Sequence, residues 1–481
     1  MSNTGLACMQ RDQRRKHEIA ERFDRLSLER TRWQEKAWYY YEDQLRYLRF
    51  LVPEGLSILE VGCGLGDQLA ALKPKRGLGI DLSPAMIRKA VARHPEIEFQ
   101  ATDVDDLDVK ETFDVILLLD VIGHLLDIES TLKKLRRFCE PHTRVIVVYY
   151  NFLWEPLLRL AERVGLKMPQ QQQNWLSPAD IRNLMRLADY EVVKVENRFL
   201  LPKHIPLVGP LLNRFAVILP GINSLCLARY VVARVRGLQE GQAYSVSIVI
   251  PCRNEMGNIE AAVTRLPVFG THQEIIFVDG HSSDGTVQEI QRIIHKYPHK
   301  DIKLFIQEGK GKGDAVRKGF AGATGDVLMI LDADLTMPPE DLPKFYEAIA
   351  NGKGEFINGS RLVYPMEQKA MRLLNLLGNK FFSMAFTWLL GERIKDTLCG
   401  TKVLLRRDYE RIAANRQYFG EFDPFGDFDL LFGASKLNLK IIEVPIRYQE
   451  RTYGTTNIHR FQHGWLLLKM TVYGFFRLKA V

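Results

Sequence analysis

Short apolar runs alternate with longer amphipathic stretches along most of this chain, and this alternation restricts the fold more than any other feature. Between residues 57 and 199 the apolar runs are SILEVG, GLGID, IEFQAT, FDVILLLD, TRVIVVYY and YEVVKVENRF. Strands that alternate with helices form βαβ units and a mostly parallel sheet. The pattern therefore predicts an α/β fold, preceded by a helical region over residues 10–50.

A second series of apolar runs begins at residue 246, and it comprises VSIVIPC, EIIFVDG, IKLFIQEG, DVLMILDAD, GEFINGS and LKIIEVPI. The polar segment GLQEGQAYS at 237–245 separates the two series and is typical of a linker. The series share no sequence period, which argues against a repeat. We predict a first domain over 1–236, a linker over 237–245 and a second domain over 246–481.

Composition narrows the classes of function. The 481 residues are 46% hydrophobic, which suits packed cores, and the net charge of +8 is a mild excess. No nucleic-acid-binding motif accompanies this charge, so we expect anionic substrates or an anionic membrane surface as partners and no nucleic acid. The six cysteines are scattered without a CxxC pair, which argues against a zinc site or a disulfide framework. The N-terminus lacks the apolar core of a signal peptide and predicts a cytoplasmic location.

Three apolar stretches come near the length of a membrane span, at 205–233, 371–390 and 464–481. Proline or basic residues interrupt each of them before it reaches about 18 apolar residues. Apolar, aromatic-rich segments with interspersed basic residues can lie in a membrane interface, and each can equally form a core helix. For the last two stretches we predict peripheral contact with the inner face of the membrane.

A glycine-rich turn, LEVGCGLGD at 59–67, follows the first strand and precedes a helix. It places Glu60 at the strand end, followed by Gly62, Gly64 and Gly66. Glycines allow the backbone to approach a ligand closely, and the helix N-terminus offers unpaired N–H groups. Many nucleotide-binding folds share such a turn, so the prediction of a particular ligand depends mainly on the carboxylates that follow it.

Three carboxylates, Asp81, Asp103 and Asp120, follow the ends of the next strands. Ligands of open α/β sheets bind at the carboxyl ends of strands. Asp81 is suited to ribose hydroxyls and Asp103 to an adenine amine, although each could instead be a helix cap or a loop residue. His124 is a candidate general base or a structural histidine. The aromatic cluster around Trp38 and residues 39–41 predicts either a lid or a core-facing helix.

The order of these features resembles the class I S-adenosylmethionine-dependent methyltransferases over residues 20–236. The resemblance implies that the three glycines surround the methionine part of S-adenosylmethionine, with Asp81 at the ribose and Asp103 near the adenine. It also implies a Rossmann-like sheet that ends in an antiparallel strand, for which CLARYVVARV is the candidate. The implied chemistry is nucleophilic attack on a sulfonium methyl group, in which positioning does most of the catalytic work. The methyl acceptor cannot be read from these residues.

Acidic residues also end the strands of the second series. SIVIPCRNE (247–255) ends with Arg253 and Glu255, and EIIFVDG ends with Asp279. GDVLMILDADLT delivers Asp332 and Asp334, which an extended chain would project to one side. Both could then face one Mg²⁺ or Mn²⁺, which in turn would bind a diphosphate. The alternative is a solvated strand end.

The second series resembles the family 2 glycosyltransferases of the GT-A fold over nearly all of 245–460. The nearest resemblance is to the dolichyl-phosphate mannose synthases and related polyprenyl-phosphate sugar transferases. It implies that a nucleoside diphosphate sugar is the donor and that the aspartates of LDADLT form the DxD motif for metal and diphosphate. The residues implied to hold the donor are Pro251, Arg253, Glu255, Asp279, Lys312, Asp332, Asp334, Arg361 and Arg451.

The acceptor side of this resemblance involves Asp429, Arg361 and Arg451. Asp429 could act as a base toward a hydroxyl acceptor, whereas a lipid phosphate is already anionic and needs none. The two arginines would hold phosphates, for which a guanidinium is well suited, or could form ion pairs. This chain departs from the family where Thr336 replaces a usual glutamine and where residues 455–457 read TTN. Both departures weaken the assignment of a lipid-phosphate acceptor.

Together these features predict a bifunctional enzyme. One domain would transfer a sugar to a polyprenyl phosphate or glycolipid, and the other would methylate an acceptor. The alternative is a glycosyltransferase whose N-terminal domain is a non-catalytic module that binds the cofactor or docks on a membrane.

Overall fold

The computed structural model describes residues 3–169, 173–363, 373–418, 428–451, 453–454 and 460–480. The chain divides into two compact units, Met1–Leu238 together with Ala480–Val481, and Gln239–Lys479. The departure noted at residues 455–457 lies outside the described residues.

The first unit is built on a seven-stranded sheet in the order β3-β2-β1-β4-β5-β7-β6. β7 runs antiparallel to both β5 and β6, and the other pairs are parallel. The antiparallel direction predicted for CLARYVVARV is confirmed, but the sheet does not end in this strand, because β7 lies between β5 and β6. The strands are β1 Ser57–Val61, β2 Arg76–Asp81, β3 Glu98–Ala101, β4 Phe113–Leu119, β5 Cys139–Tyr150, β6 Tyr190–Arg198 and β7 Ala228–Val235.

Helices cover this sheet because the segments between the strands carry apolar residues at helical spacing. In the sheet itself, the apolar run of β4 is buried almost throughout. The helical region expected near the N-terminus is present as the first three helices. The helices are α1 Asn3–Ser27, α2 Arg30–Lys36, α3 Trp38–Leu51, α4 Asp67–Ala71, α5 Pro84–Arg93, α6 Ile128–Leu135, α7 Glu155–Arg163, α8 Pro178–Leu187 and α9 Val208–Phe215.

The second unit has its own seven-stranded sheet, in the order β10-β9-β8-β11-β13-β12-β14. β13 is antiparallel to β11 and β12, and the remaining pairs are parallel. The two sheets confirm the predicted α/β class. The strands are β8 Val246–Cys252, β9 Gln273–Asp279, β10 Asp301–Ile306, β11 Val327–Ile330, β12 Phe356–Ser360, β13 Lys402–Leu405 and β14 Ile441–Pro445.

The helices of the second unit pack on both the early and the late strands. They are α10 Ile259–Thr264, α11 Thr286–Lys296, α12 Lys312–Gly322, α13 Leu342–Ala350, α14 Leu373–Leu390, α15 Arg406–Ala414, α16 Phe428–Lys436 and α17 Arg460–Gly474. A short π-helical turn, Phe475–Lys479, follows α17. In the part of the chain that the structure describes, no helix is both long and apolar enough to cross a membrane.

Strand direction places the candidate site residues of each unit at one edge. In the first unit β1 pairs in parallel with β2 on one side and with β4 on the other. In the second unit β8 has the same relation to β9 and β11. The strand order reverses at β1 and at β8, and such reversal points are where open α/β sheets bind ligands.

Candidate active sites

The glycine-rich turn after β1 has a backbone that other residues would strain. Gly62, Gly64 and Gly66 have φ angles of +73°, +55° and +75°, in the left-handed region that favours glycine. A Cβ at Gly62 would overlap Val121, and a Cβ at Gly66 would overlap Phe99, whereas Gly64 faces open space. The turn is therefore packed on two sides and open to a ligand at its middle glycine.

Asp81, at the end of β2, holds this turn in place. Its carboxylate accepts hydrogen bonds from the backbone N–H of Gly64 and of Ser83, both at 2.9 Å. The N-cap of α5 is Ser83, which accepts from the Met86 N–H at 3.1 Å, so Asp81 is not the helix cap. Burial raises the pKa of Asp81. Its contact with ribose remains a prediction.

Glu60 is buried with one carboxylate oxygen, Oε2, lacking a hydrogen-bond partner. Burial raises its pKa to about 8, and the nearby charges of Asp81 and Asp67 contribute. Gln68 Oε1 is a second buried acceptor without a partner. Buried polar atoms are nearly always hydrogen-bonded, so two orphaned acceptors beside the glycine turn fit a ligand that brings donors or positive charge.

Asp120, which follows β4, receives hydrogen bonds from a helix that the sequence analysis did not connect to it. Tyr40 Oη donates to its carboxylate at 2.9 Å, and Gln44 Nε2 donates at 3.2 Å. Burial raises the pKa of Asp120 to about 6. Tyr40 itself is buried, so at this position α3 is a core-facing helix and not a lid. The i, i+4 spacing of Tyr40 and Gln44 places both side chains on one face of α3. This spacing was the feature of the sequence that could have indicated a shared partner.

Asp103 forms an ion pair with Lys16 of α1 and accepts a hydrogen bond from the Val104 N–H at 2.6 Å. The same lysine lies 2.8 Å from Asp105. The sequence analysis missed Lys16, because nothing local links it to a loop so far along the chain. The predicted role of Asp103 at the adenine remains a prediction.

His124 lies at the end of a 3₁₀ turn, where the ring of Phe23 meets it edge to face at 5.8 Å. Its pKa is lowered to about 4, chiefly by burial and also by the charges of Arg22, Lys167 and Arg30. His124 is therefore neutral near pH 7, and its role as a general base remains a prediction.

In the second unit, Asp332 and Asp334 lie beyond the end of the strand that precedes them. β11 ends at Ile330, and the pair lies in a turn in which the Leu335 N–H donates to the Asp332 carbonyl at 3.2 Å. The expectation that the pair lies in extended chain was therefore wrong, and a cation shared by the two aspartates remains a prediction. The turn forms because Thr336 donates to Asp334 through its N–H and its hydroxyl, at 3.2 and 2.9 Å.

Each of these two carboxylates is paired with a cation. Lys312 Nζ lies 2.5 Å from Asp332, and Arg451 lies 2.7 Å from Asp334 and 2.9 Å from Glu255. Burial raises the pKa of Asp332, but Lys312 and more distant cations outweigh burial, and the pKa is below its ordinary value. Opposite charges thus alternate along this edge of the sheet.

Gly400, in the DTLCG run, lets the Asp332 carboxylate and the Lys312 ammonium lie directly against the backbone. A Cβ at this position would overlap both the Asp332 carboxylate and the Lys312 ammonium. Among the described residues no group of three or more His, Cys, Asp or Glu side chains is arranged to hold a metal ion. The two aspartates still fit a Mg²⁺ or Mn²⁺ whose other ligands would be phosphate oxygens and water.

The residues predicted to hold the base and ribose lie around the ends of β8 and β9. Asp279 is buried and accepts from the N–H and the hydroxyl of Ser282, at 3.0 and 2.5 Å. Burial raises the pKa of Glu255, which accepts from Asn258 Nδ2 at 2.7 Å. Pro251 pairs with the neighbouring strand, and Arg253 is exposed. The carboxylates of Asp279 and Glu255 therefore stabilise the loops that follow β9 and β8.

The two residues predicted nearer the acceptor both lie in ion pairs. Arg361 forms a bidentate pair with buried Asp396, at 2.7 and 2.8 Å. Asp429, at the start of α16, is buried and lies 3.0 Å from Arg416. The ion-pair alternative for Arg361 is thus observed, in a buried setting. A role for either residue at the acceptor remains a prediction.

Comparison with known proteins finds similarity to two families, each over part of this chain. A methyltransferase domain model matches residues 12–195, and a model of glycosyl transferase family 2 matches residues 247–412. The dolichol-phosphate mannosyltransferase of Pyrococcus furiosus is 43% identical over 220 residues, which cover 44% of this chain and 59% of the relative. An undecaprenyl-phosphate 4-deoxy-4-formamido-L-arabinose transferase of Pectobacterium carotovorum is 27% identical and covers 44% and 62%.

The chain therefore spans less than two thirds of the length of these relatives. Among solved structures, a SAM-dependent methyltransferase of Thermotoga maritima is 21% identical and covers 45% of this chain and 99% of that protein, with a TM-score of 0.36. A likeness at that score carries no argument about this chain.

Proposed function

We propose that this chain, which carries a methyltransferase domain and a family 2 glycosyl transferase domain, is bifunctional. The second unit would transfer a sugar from a nucleoside diphosphate sugar to a polyprenyl phosphate. The first unit would transfer a methyl group from S-adenosylmethionine to a separate acceptor.

The observation that carries the sugar transfer is the alternation of charge beside Gly400. Asp332 and Asp334 offer the oxygen ligands that a hard divalent cation prefers. Lys312 and Arg451, which pair with them, offer donors suited to phosphate oxygens. A metal-bound diphosphate satisfies both signs of charge at once.

In this proposal the residues of the chain bind and orient the donor. The metal ion, when bound by Asp332 and Asp334, would stabilise the charge that develops on the leaving diphosphate. Lys312 and Arg451 would exchange their carboxylate partners for phosphate oxygens. A lipid phosphate is anionic at neutral pH and attacks without a base, so Asp429 would act as a base only toward a hydroxyl acceptor.

This acceptor is supported by the names of two relatives, which specify dolichol phosphate and undecaprenyl phosphate. A lipid acceptor is compatible with peripheral membrane contact from the cytoplasmic side. In support, α14 exposes Phe381 and Met384, and α17 exposes Trp465 and Val472. Exposed aromatic and apolar side chains of this kind are typical of helices that lie in a membrane interface.

The methyl transfer is supported by the acidic edge of the first unit. The sulfonium of S-adenosylmethionine is positively charged, and Glu60, Asp81 and Asp120 surround the turn that would receive the cofactor. The orphaned Glu60 Oε2 would gain a donor from the bound cofactor. Neutral His124 would accept the proton of a hydroxyl acceptor.

A panel of sugar nucleotides tests the sugar transfer. Purified full-length chain would be incubated with GDP-mannose, UDP-glucose or UDP-N-acetylglucosamine, with Mg²⁺ or Mn²⁺, with and without dolichyl phosphate. We expect release of nucleoside diphosphate from one donor, increased by the lipid phosphate and abolished by a chelator. A folded chain that consumes none of the donors under any of these conditions would contradict the proposal.

Calorimetry and methyl transfer together test the first unit. We expect S-adenosylmethionine to bind and its methyl group to reach a lipid or glycan extract. Binding without turnover across such a panel would favour the alternative, a non-catalytic cofactor-binding module.

A further inference from the structure

One face of α7 in the first unit is apolar and exposed. The side chains of Leu157 and Leu160, and of Val164 at the C-cap, follow one another at spacings of three and four, so they lie on one side of the helix. Their exposures are 57%, 56% and 60%, whereas Leu158 is buried in the core. Leu166 continues this surface beyond the helix with 75% of its area exposed. We call these four exposed residues the apolar strip. A helix on a protein surface ordinarily presents polar residues there.

A second apolar segment is attached to the start of α7. Trp154 Nε1 donates to the Leu225 carbonyl at 2.7 Å, and Asn151 Nδ2 donates to the Ser224 carbonyl at 2.8 Å. Leu225 is itself exposed, and exposed leucines continue back to α9. Residues 199–227 contain no Asp or Glu. This composition would not repel an anionic surface or ligand.

The other end of the strip leads to a cluster of cations. Leu166 is followed by Lys167, Met168 and Pro169. Arg30 donates to Met168 Sδ at 3.8 Å, and Arg22 donates to the Pro169 carbonyl at 3.4 Å. We call Arg22, Arg30 and Lys167 the cationic cluster.

This cluster lies beside the groups proposed for methyl transfer. All three of its members act electrostatically on His124, and Arg30 also interacts with Asp120 and Asp81. Lys167 balances part of the charge by pairing with Glu162 at 2.5 Å. The cluster therefore places positive charge between the cofactor edge and the apolar strip.

From this juxtaposition we infer that the methyl acceptor is an anionic lipid, whose charged head lies at the cationic cluster and whose apolar chain lies along the apolar strip. The inference rests on the methyl transfer proposed above and adds the class of its acceptor. The cationic cluster accounts for an anionic head, and the exposed apolar strip accounts for an apolar chain. A sugar or a free nucleotide would leave the apolar strip without a partner.

The transfer step is balanced for such an acceptor. An oxygen of the head forms a bond to the methyl carbon as the carbon–sulfur bond breaks, and the sulfonium becomes a neutral thioether. If that oxygen is already anionic, no proton moves. If it belongs to a hydroxyl, its proton passes to neutral His124.

Photolabelling of the full-length chain locates the lipid directly. The probes are dodecyl phosphate and dodecanol, each with a diazirine in the alkyl chain, and labelled peptides are identified by mass spectrometry with S-adenosylhomocysteine present. We expect the phosphate probe to label residues 157–168 several-fold more than the alcohol. The triple variant Leu157→Ser, Leu160→Ser, Val164→Ser should lower that labelling roughly tenfold because it removes apolar contact area.

Matched variants separate the head from the tail. Arg22→Gln should lower labelling by the phosphate probe about fivefold and leave labelling by the alcohol unchanged. The control Val91→Ser, Leu187→Ser changes exposed apolar residues elsewhere in the same unit and should have no effect.

Three results would overturn the inference: equal labelling by the two probes, labelling confined to residues 239–479, or a triple variant that changes the oligomeric state in sedimentation. The last result would assign the strip to a second copy of the chain. Calorimetry with S-adenosylmethionine on the same samples reports separately on the cofactor site, so failure of the proposed methyltransferase function is distinguishable from failure of the lipid assignment.

Discussion

Two pairs of strand-end carboxylates, one pair in each sheet, differ in the partners that hold them. In the first unit the carboxylates of Asp81 and Asp120 are held by uncharged donors, which are backbone N–H groups, a tyrosine and a glutamine. In the second unit Asp332 and Asp334 are each paired with a cation. The same residue type at the same place in a sheet therefore presents different electrostatic environments.

The difference appears in the protonation of the carboxylates. Burial raises the pKa of Glu60 to about 8 and that of Asp120 to about 6, whereas cations leave the pKa of Asp332 below its ordinary value. An edge at which buried carboxylates are held by uncharged donors favours a ligand that brings positive charge. An edge of alternating signs favours a ligand that brings both, as a metal-bound diphosphate does.

The largest expected effect comes from the cation-paired edge. Asp332→Asn or Asp334→Asn should lower metal-dependent sugar transfer by about 10³-fold, since each removes a ligand that positions a divalent cation. Initial rates with the preferred sugar nucleotide measure the effect. Glu340→Gln, which disrupts an exposed ion pair with Arg265 in the same unit, is the control. Wild-type rates in either aspartate variant would contradict the assignment of that aspartate as a metal ligand.

The space beside Asp332 provides the next test. Gly400→Ala would place a methyl group against Asp332 and Lys312, and we expect donor turnover to fall by roughly 10²-fold because the charged groups must move. Gly378→Ala is the matched control, since a Cβ there meets nothing within 4 Å. An unchanged rate in Gly400→Ala would show that this space is not used by the donor.

The carboxylate-rich edge of the first unit should respond to pH. Glu60 gives up its proton more readily when a cation binds beside it, so the affinity for S-adenosylmethionine should increase roughly tenfold from pH 7 to pH 9. Calorimetry at each pH measures this, and Glu60→Gln should remove the dependence. Glu98→Gln, on exposed β3, should retain it. A pH-independent affinity in the unmodified chain would contradict a cation at Glu60.

The same pKa has a consequence for stability in the absence of cofactor. An acid whose pKa is higher in the folded than in the unfolded state favours folding at low pH, and this contribution is lost as pH rises. For Glu60 the free energy of unfolding should decrease as pH rises from its ordinary pKa of about 4.3 toward about 8. Denaturant titrations with and without S-adenosylmethionine should show that the cofactor restores part of the loss.

The smallest expected effect concerns the tyrosine that holds Asp120. Tyr40→Phe removes a donor from a buried carboxylate, and we expect a loss of about 1 kcal/mol in the free energy of unfolding and weaker cofactor binding by a few-fold. Tyr190→Phe also removes a buried hydrogen bond, to the Leu132 carbonyl, but away from the cofactor edge. If both variants affected cofactor affinity equally, the role of Tyr40 would be stability alone.

Much of each edge was predictable from local sequence. The apolar runs predict strands, and the turn residues that follow them, such as Gly64 and Asp279, predict where ligands meet the sheet. Both inferences depend only on residues a few positions apart, because side chains alternate along a strand and glycine determines its own backbone. The conformation of LDADLT was mispredicted because Thr336 closes a turn that the spacing of its aspartates does not reveal.

By itself the sequence determined two α/β sheets, the edges at which their acidic residues collect and the families that these motifs resemble. The tertiary structure decided which partner each acidic residue has. Tyr40 reaches Asp120 across 80 positions, and Arg451 reaches Asp334 across 117 and Glu255 across 196. Packing of whole elements brings such residues together, and no local periodicity encodes it. The charge of each edge, and with it the kind of ligand that edge favours, is therefore a property of the folded chain.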